Sequence, residues 1–326
     1  MARKRSRTAS VRSTGSLLVV LAVFVIIGAM ALDVPHGLWA QPGLSELRSA
    51  VLEAVGLQTA APTAAPSPVA GEGPATETPE PGSQAASAGW YQVYFTAPRY
   101  PDKPDERHDG IDGHLVQLIN GAQRSVDVAA YELDLETVAA ALLAAKERGV
   151  AVRLVTDSDN IEEKAVQQLK AGGVPVVGDS RGALMHNKFV VVDGEWVWTG
   201  SWNLTINCTY RNNNNAIRIH SPALARNYQT EFEEMFGRRQ FGPTSRSDTP
   251  APVLTIEGTR IENYFAAEDR VAERLRAVLA QAQHKIVFLA FSFTDEETAR
   301  VLIERAKAGV AVSGVMEKRG ADTEYA

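Results

Sequence analysis

His186 and Lys188 stand two residues apart, so in an extended strand they share one face and set an imidazole beside an ammonium. Asp193 follows, then Gly200, Ser201 and Asn203. This set supplies a nucleophile or base, a cation and neutral hydrogen-bond donors, and it suits a phosphate. Lys188 would act on the anion as a point charge, while Ser201 and Asn203 would donate to its non-bridging oxygens. A phosphodiester repels anionic nucleophiles. Neutral imidazole escapes that repulsion, and histidine titrates close enough to neutrality to serve as base or acid. No Cys, His and carboxylate cluster has metal-ligand spacing, so the expected chemistry uses neither metal nor cofactor. The one cysteine, Cys208, excludes an intramolecular disulfide and reads as a small buried residue.

The run H-x-K-x4-D-x6-G-S-x-N resembles the signature of the phospholipase D superfamily at every fixed position. The resemblance covers 90 to about 241 as a full half and 252–326 as the front of a second. It implies two such halves, from one chain or from a homodimer, that place two histidines across one phosphate. One histidine attacks phosphorus and forms a phosphohistidine; the other protonates the leaving alcohol; water then releases the product. Carried onto this chain, His186 is the nucleophile, or the acid if its half plays that part. Lys188, Ser201 and Asn203 hold the phosphate oxygens. Asp193 joins the catalytic set as the carboxylate that organises the motif's geometry and charge. The family usually has a Glu downstream of G-S-x-N that orients the histidine. Here Asn214 takes that position, and its amide oxygen accepts an N–H but cannot stabilise an imidazolium as a carboxylate does. The implied function is hydrolysis of a phospholipid phosphodiester. A nuclease acting on DNA or RNA and an inactive phosphate-binding module are the alternatives. A lipid substrate predicts an apolar rim at the cleft and a nuclease a basic groove. The formal net charge of −6 weighs against a generic nucleic-acid binder.

Alternating strand and helix signals must position these groups. Strands are expected at 125–133, 150–156, 174–177, 188–193, 195–199 and 216–220, the fourth and fifth forming a hairpin about Asp193 and Gly194. Helices are expected at 135–148, 161–171 and 222–236. Trp196 and Trp198 fall on one strand face and read as core. Such alternation predicts an α/β fold, and the family resemblance makes it a phospholipase D-like α/β/α sandwich with a mixed central sheet. Residues 122–152 also align without gaps to 282–312 with ten identities in 31 positions, the signature of an internal repeat. The counterpart of His186 would then fall about 20 residues past Ala326, so a homodimer or a further half is expected to complete the site. His284 aligns with Arg124 and is not that counterpart.

The N-terminus reads as a targeting segment. A basic region at 1–15 precedes an apolar run at 16–32, which fits a transmembrane signal anchor or a signal peptide. Either would attach the chain to a membrane or export it, with the remainder extracytoplasmic. Residues 33–89 hold a short amphipathic helix and an Ala/Pro-rich linker too poor in apolar side chains to fold.

Overall fold

The computed structural model describes residues 86–318. The expected anchor or signal at 16–32 and the juxtamembrane helix lie outside that range. Among the described residues no helix is long and apolar enough to cross a membrane.

The first part is built from β1 (Ala86–Ala88), β2 (Tyr91–Phe95), α1 (Ile111–Asn120), β3 (Ser125–Ala130), α2 (Glu136–Glu147), β4 (Ala151–Thr156), α3 (Lys164–Ala171) and β5 (Val176–Gly178). It continues through β6 (Lys188–Val192), β7 (Trp196–Gly200), α4 (Ile206–Tyr210), β8 (Asn215–His220) and α5 (Pro222–Phe236). The strands form one eight-stranded sheet in the order β1-β2-β8-β7-β6-β3-β4-β5. Pairings β3–β4 and β4–β5 are parallel and the others antiparallel, so the sheet is mixed.

Period-two alternation decides which layer each side chain joins. On β6, Val190 and Val192 pack with Leu115, Leu142 and Leu169 from α1, α2 and α3. Phe189 and Val191 point the other way, onto Leu224, Phe232 and Met235 of α5. Helices therefore cover both faces, the α/β/α arrangement. Trp198 is buried with the α1–α3 layer and Trp196 packs against it, as their shared parity demands. Cys208 is buried and free.

Several boundaries differ from the sequence reading. β3 ends at Ala130 rather than 133, and Leu133 forms only an isolated bridge to Leu204. α3 begins at Lys164 rather than 161, because Glu163 keeps an extended backbone and its carboxylate accepts from Leu133 N. β2 and α1 had no counterpart in that reading. Glycines at 110, 113 and 121 mask the helical pattern of Ile111, Leu115, Leu118 and Ile119, all of which are buried.

Beyond α5 come a hairpin of β9 (Val253–Ile256) and β10 (Thr259–Glu262), then α6 (Val271–Ala280), β11 (Lys285–Ala290), α7 (Glu296–Lys307) and β12 (Ala311–Met316). β11 and β12 pair in parallel as a separate two-stranded sheet with a small core of Ile286, Leu302 and Val310.

Candidate active site

Strand register brings the motif to one end of the central strands of the large sheet. Ala130 at the end of β3 pairs with Lys188 at the start of β6; Phe189 pairs with Thr199 in β7; Gly200 pairs with Ala216 in β8. The segments just outside these strand ends carry Tyr131, Glu132, His186, Ser201, Asn203 and Asn214. Gly200 is required by close approach: a Cβ there would lie 2.3 Å from Asn215 O.

His186 and Lys188 share Tyr131. The imidazole meets the ring edge-on at 4.9 Å between centroids, and Lys188 Nζ lies 5.3 Å from the same centroid. Lys188 Nζ also donates to His186 O at 2.9 Å. The residues on either side of the histidine are both tied, one through its backbone and one through its side chain. Met185 N donates to the buried Asp157 carboxylate at 2.8 Å, and Asn187 Nδ2 donates to Glu231 Oε1 on α5 at 3.1 Å. Asn187 has the parity of Phe189, so it must face α5 while Lys188 faces the cleft. Asp157 and Glu231 escaped the sequence reading, since nothing local relates them to His186.

Electrostatics favour the uncharged imidazole. Burial, then the Lys188 charge, holds His186 below its ordinary pKa, with Asp157 pulling the other way. Burial pushes Lys188 down to about 8, against the opposite pull of Cys208 and Glu132. A half-buried ammonium with no ion pair among the described residues is a cation held ready for an anion.

Lys188 and Asn203 line one small cavity with Trp198 and Trp202. Asn203 Nδ2 lies 3.5 Å from Glu132 Oε2, and its buried Oδ1 has no partner. Glu132 is a third residue the sequence reading missed, because it follows the strand and belongs to no motif. Ser201 Oγ donates to Asn214 Oδ1 at 3.0 Å and accepts from Asn215 N at 3.1 Å.

Two expected roles change. Asn214 does not orient His186 of its own chain: its oxygen accepts from Ser201 and its Nδ2 donates to Cys208 O. It precedes β8, two strands from β6, hence about 10 Å away across the sheet. Asp193 belongs to the opposite end of β6, five residues or about 17 Å along the strand from Lys188. Its carboxylate accepts from the backbone N–H groups of Gln123, Arg124 and Ser125 at 2.7–3.2 Å. Burial alone would raise its pKa, but these three N–H groups hold it lower. It also sits in the hairpin turn, where Asp193 (φ 56°) and Gly194 (φ 66°) are both left-handed. Asp193 is a structural clamp away from the chemistry.

Comparison with known proteins agrees with this arrangement. A family profile described as "Cardiolipin synthase, PLD-like domain" matches residues 115–236. The chain is 34% identical over 166 residues to a mitochondrial cardiolipin hydrolase of Xenopus tropicalis, covering 47% of this chain and 78% of that one. This chain belongs to the phospholipase D family. Another relative in the family is a phospholipase D of Rickettsia prowazekii (strain Madrid E), 33% identical over 132 residues, 40% of this chain and 63% of that one. A solved phospholipase D family member, Nuc from Salmonella typhimurium, is 27% identical over 45% of this chain and 93% of that one, with a TM-score of 0.39.

Proposed function

We propose that this phospholipase D-family chain hydrolyses a phospholipid phosphodiester through a phosphohistidine formed on His186. The observation that carries the reading is the gathering of His186, Lys188, Ser201 and Asn203 at one end of the central strands, with the imidazole held towards its neutral form. In the reaction, His186 attacks phosphorus as the neutral base. Lys188 offsets the charge on the non-bridging oxygens, the Asn203 amide donates to them, and the Ser201 hydroxyl does so by turning away from Asn214. The P–O bond to the alcohol breaks, an acid protonates the leaving oxygen, and water then cleaves the P–N bond to regenerate imidazole.

The acid must be a second histidine. Among the described residues His114 stacks on Tyr94, His220 lies against Trp196, His108 meets Asp109, and exposed His284 precedes β11. None of these is at the site. A second copy of the chain, or a further half, supplies it. A lipid substrate is favoured by the rim: Leu184, two residues before His186, is 52% exposed, and Phe95, which pairs with Asn215, is 47% exposed. Cardiolipin and phosphatidylcholine headgroups are the first candidates, brought near by a membrane-targeting N-terminus.

The test is turnover by the full chain in detergent, wild type beside His186→Asn, on phospholipid vesicles and on single-stranded DNA. Lipid turnover abolished by the substitution is expected. DNA cleavage without lipid turnover would make the chain a nuclease. Phosphate binding with no turnover of either would make it a binding module.

A further inference from the structure

Glu132 is a carboxylate in a site built for an anion, and it serves no structural tie. Its neighbours do: Leu133 N is held by Glu163, and Asp134 accepts from Ile206 N. Glu132 forms no ion pair among the described residues, and its one side-chain hydrogen bond there is from Asn203 Nδ2. Asn203 is in turn the amide whose buried oxygen has no partner. The two facts belong together. Turned over, the Asn203 amide would set its oxygen against the Glu132 carboxylate, oxygen facing oxygen. In the observed sense one N–H meets Glu132 and the other is free for a phosphate oxygen.

The charge has a further consequence. A phosphodiester carries one negative charge, which Lys188 balances. A phosphomonoester above its second ionisation, near pH 6, carries close to two. The additional charge would meet the Glu132 carboxylate across a half-buried site, where like charges repel far more than in water. The phosphomonoester is the product of diester hydrolysis.

We propose that Glu132 is a positioning and selectivity residue: held against Asn203 and within the field of Lys188, it fixes the Asn203 amide with its second N–H free for the phosphate and disfavours a dianion, so that the site accepts a diester and releases a monoester. This rests on the hydrolase reading for its substrate but not for its binding test. The groups that act on Glu132 are Lys188 on β6, Asp134 beside it and Glu163 ahead of α3. Burial raises the Glu132 pKa, Lys188 lowers it and Asp134 raises it.

Calorimetric titration of the full chain in detergent with phenyl phosphate, at pH 5 and pH 7.5, compares wild type, Glu132→Gln and Glu132→Ala. Wild type is expected to lose about tenfold more affinity between the two pH values than Glu132→Gln, which keeps shape and acceptor without the charge. An equal loss in both, or no binding in any variant, overturns the charge filter. In kcat/KM on bis(4-nitrophenyl) phosphate, Glu132→Ala should fall about tenfold and Glu132→Gln should recover most of that. An Ala variant as active as wild type overturns the positioning role. Wild-type chain that binds the monoester with the expected pH ratio yet hydrolyses no diester would defeat the hydrolase reading and leave the charge filter standing.

Discussion

Two β-α-β segments of this chain are locally alike and differ in what surrounds them. In the first, β3 and β4 pair from Ser125↔Ala151 to Ala130↔Thr156 about α2; in the second, β11 and β12 pair from Lys285↔Ala311 to Ala290↔Met316 about α7. Every pairing in the second lies 160 residues beyond one in the first. Yet β3 is flanked on its other edge by β6 and is buried over five of its six residues. Among the described residues β11 pairs with β12 alone, and Leu289 is 76% exposed where Ala129 is 1%. A β-α-β unit therefore follows from local pattern, whereas burial, and with it a functional strand end, needs the flanking strand. The first unit meets β6, which brings the histidine and lysine; the second has no such neighbour among the described residues.

The sharpest way to break this contrast is catalytic. His186→Asn should lower turnover about a thousandfold or more, while His284→Asn, beside the second unit, should leave it unchanged within measurement. Equal losses would mean that the second unit contributes to the site. Next in size is core truncation at equivalent helix positions, read by urea unfolding. Leu142→Ala, at 0% exposure in the main core, should cost about 3–5 kcal/mol; Leu302→Ala, in a core of three buried residues, about 2 kcal/mol. Similar values would show that the small core is packed as well as the large one.

Asp193→Ala tests the clamp that holds the start of the first unit. Leaving three backbone N–H groups without their acceptor should destabilise by about 2–3 kcal/mol, with kcat per folded molecule nearly unchanged. A large kcat loss in folded protein would return Asp193 to the chemistry.

The smallest effect concerns the joint between the regions, where Glu231 of α5 faces Glu268 ahead of α6. Burial and the charges of Glu268 and Glu234 push Glu231 up to about 8 from an ordinary 4.5. A carboxyl raised in this way binds its proton more tightly folded than unfolded. Its contribution is therefore fully present below about pH 4.5 and lost as pH rises through about 8. Glu231→Gln cannot ionise and keeps an acceptor for Asn187. At pH 9 it should melt above wild type, by about 2–4 °C for each kcal/mol relieved, and at pH 4 it should match it. A melting difference that does not change with pH would overturn this account.

The sequence by itself determined the strand–helix alternation, the parity that buries Val190 and Val192 against one layer and Phe189 and Val191 against the other, and the motif set His186, Lys188, Ser201 and Asn203 that the strands bring to one end of the sheet. These follow from short-range periodicity and from a motif whose spacing matches strand and turn geometry. It could not reveal that Asp193 clamps the far end of β6, that Asn214 serves Ser201 rather than His186, or that Asp157, Glu231 and Glu132 surround the motif. Those relations join residues 13 to 71 positions apart, and they depend on strand order. Strand order is settled only when distant segments compete for the same sheet edge and the same buried face, and no local pattern encodes that competition.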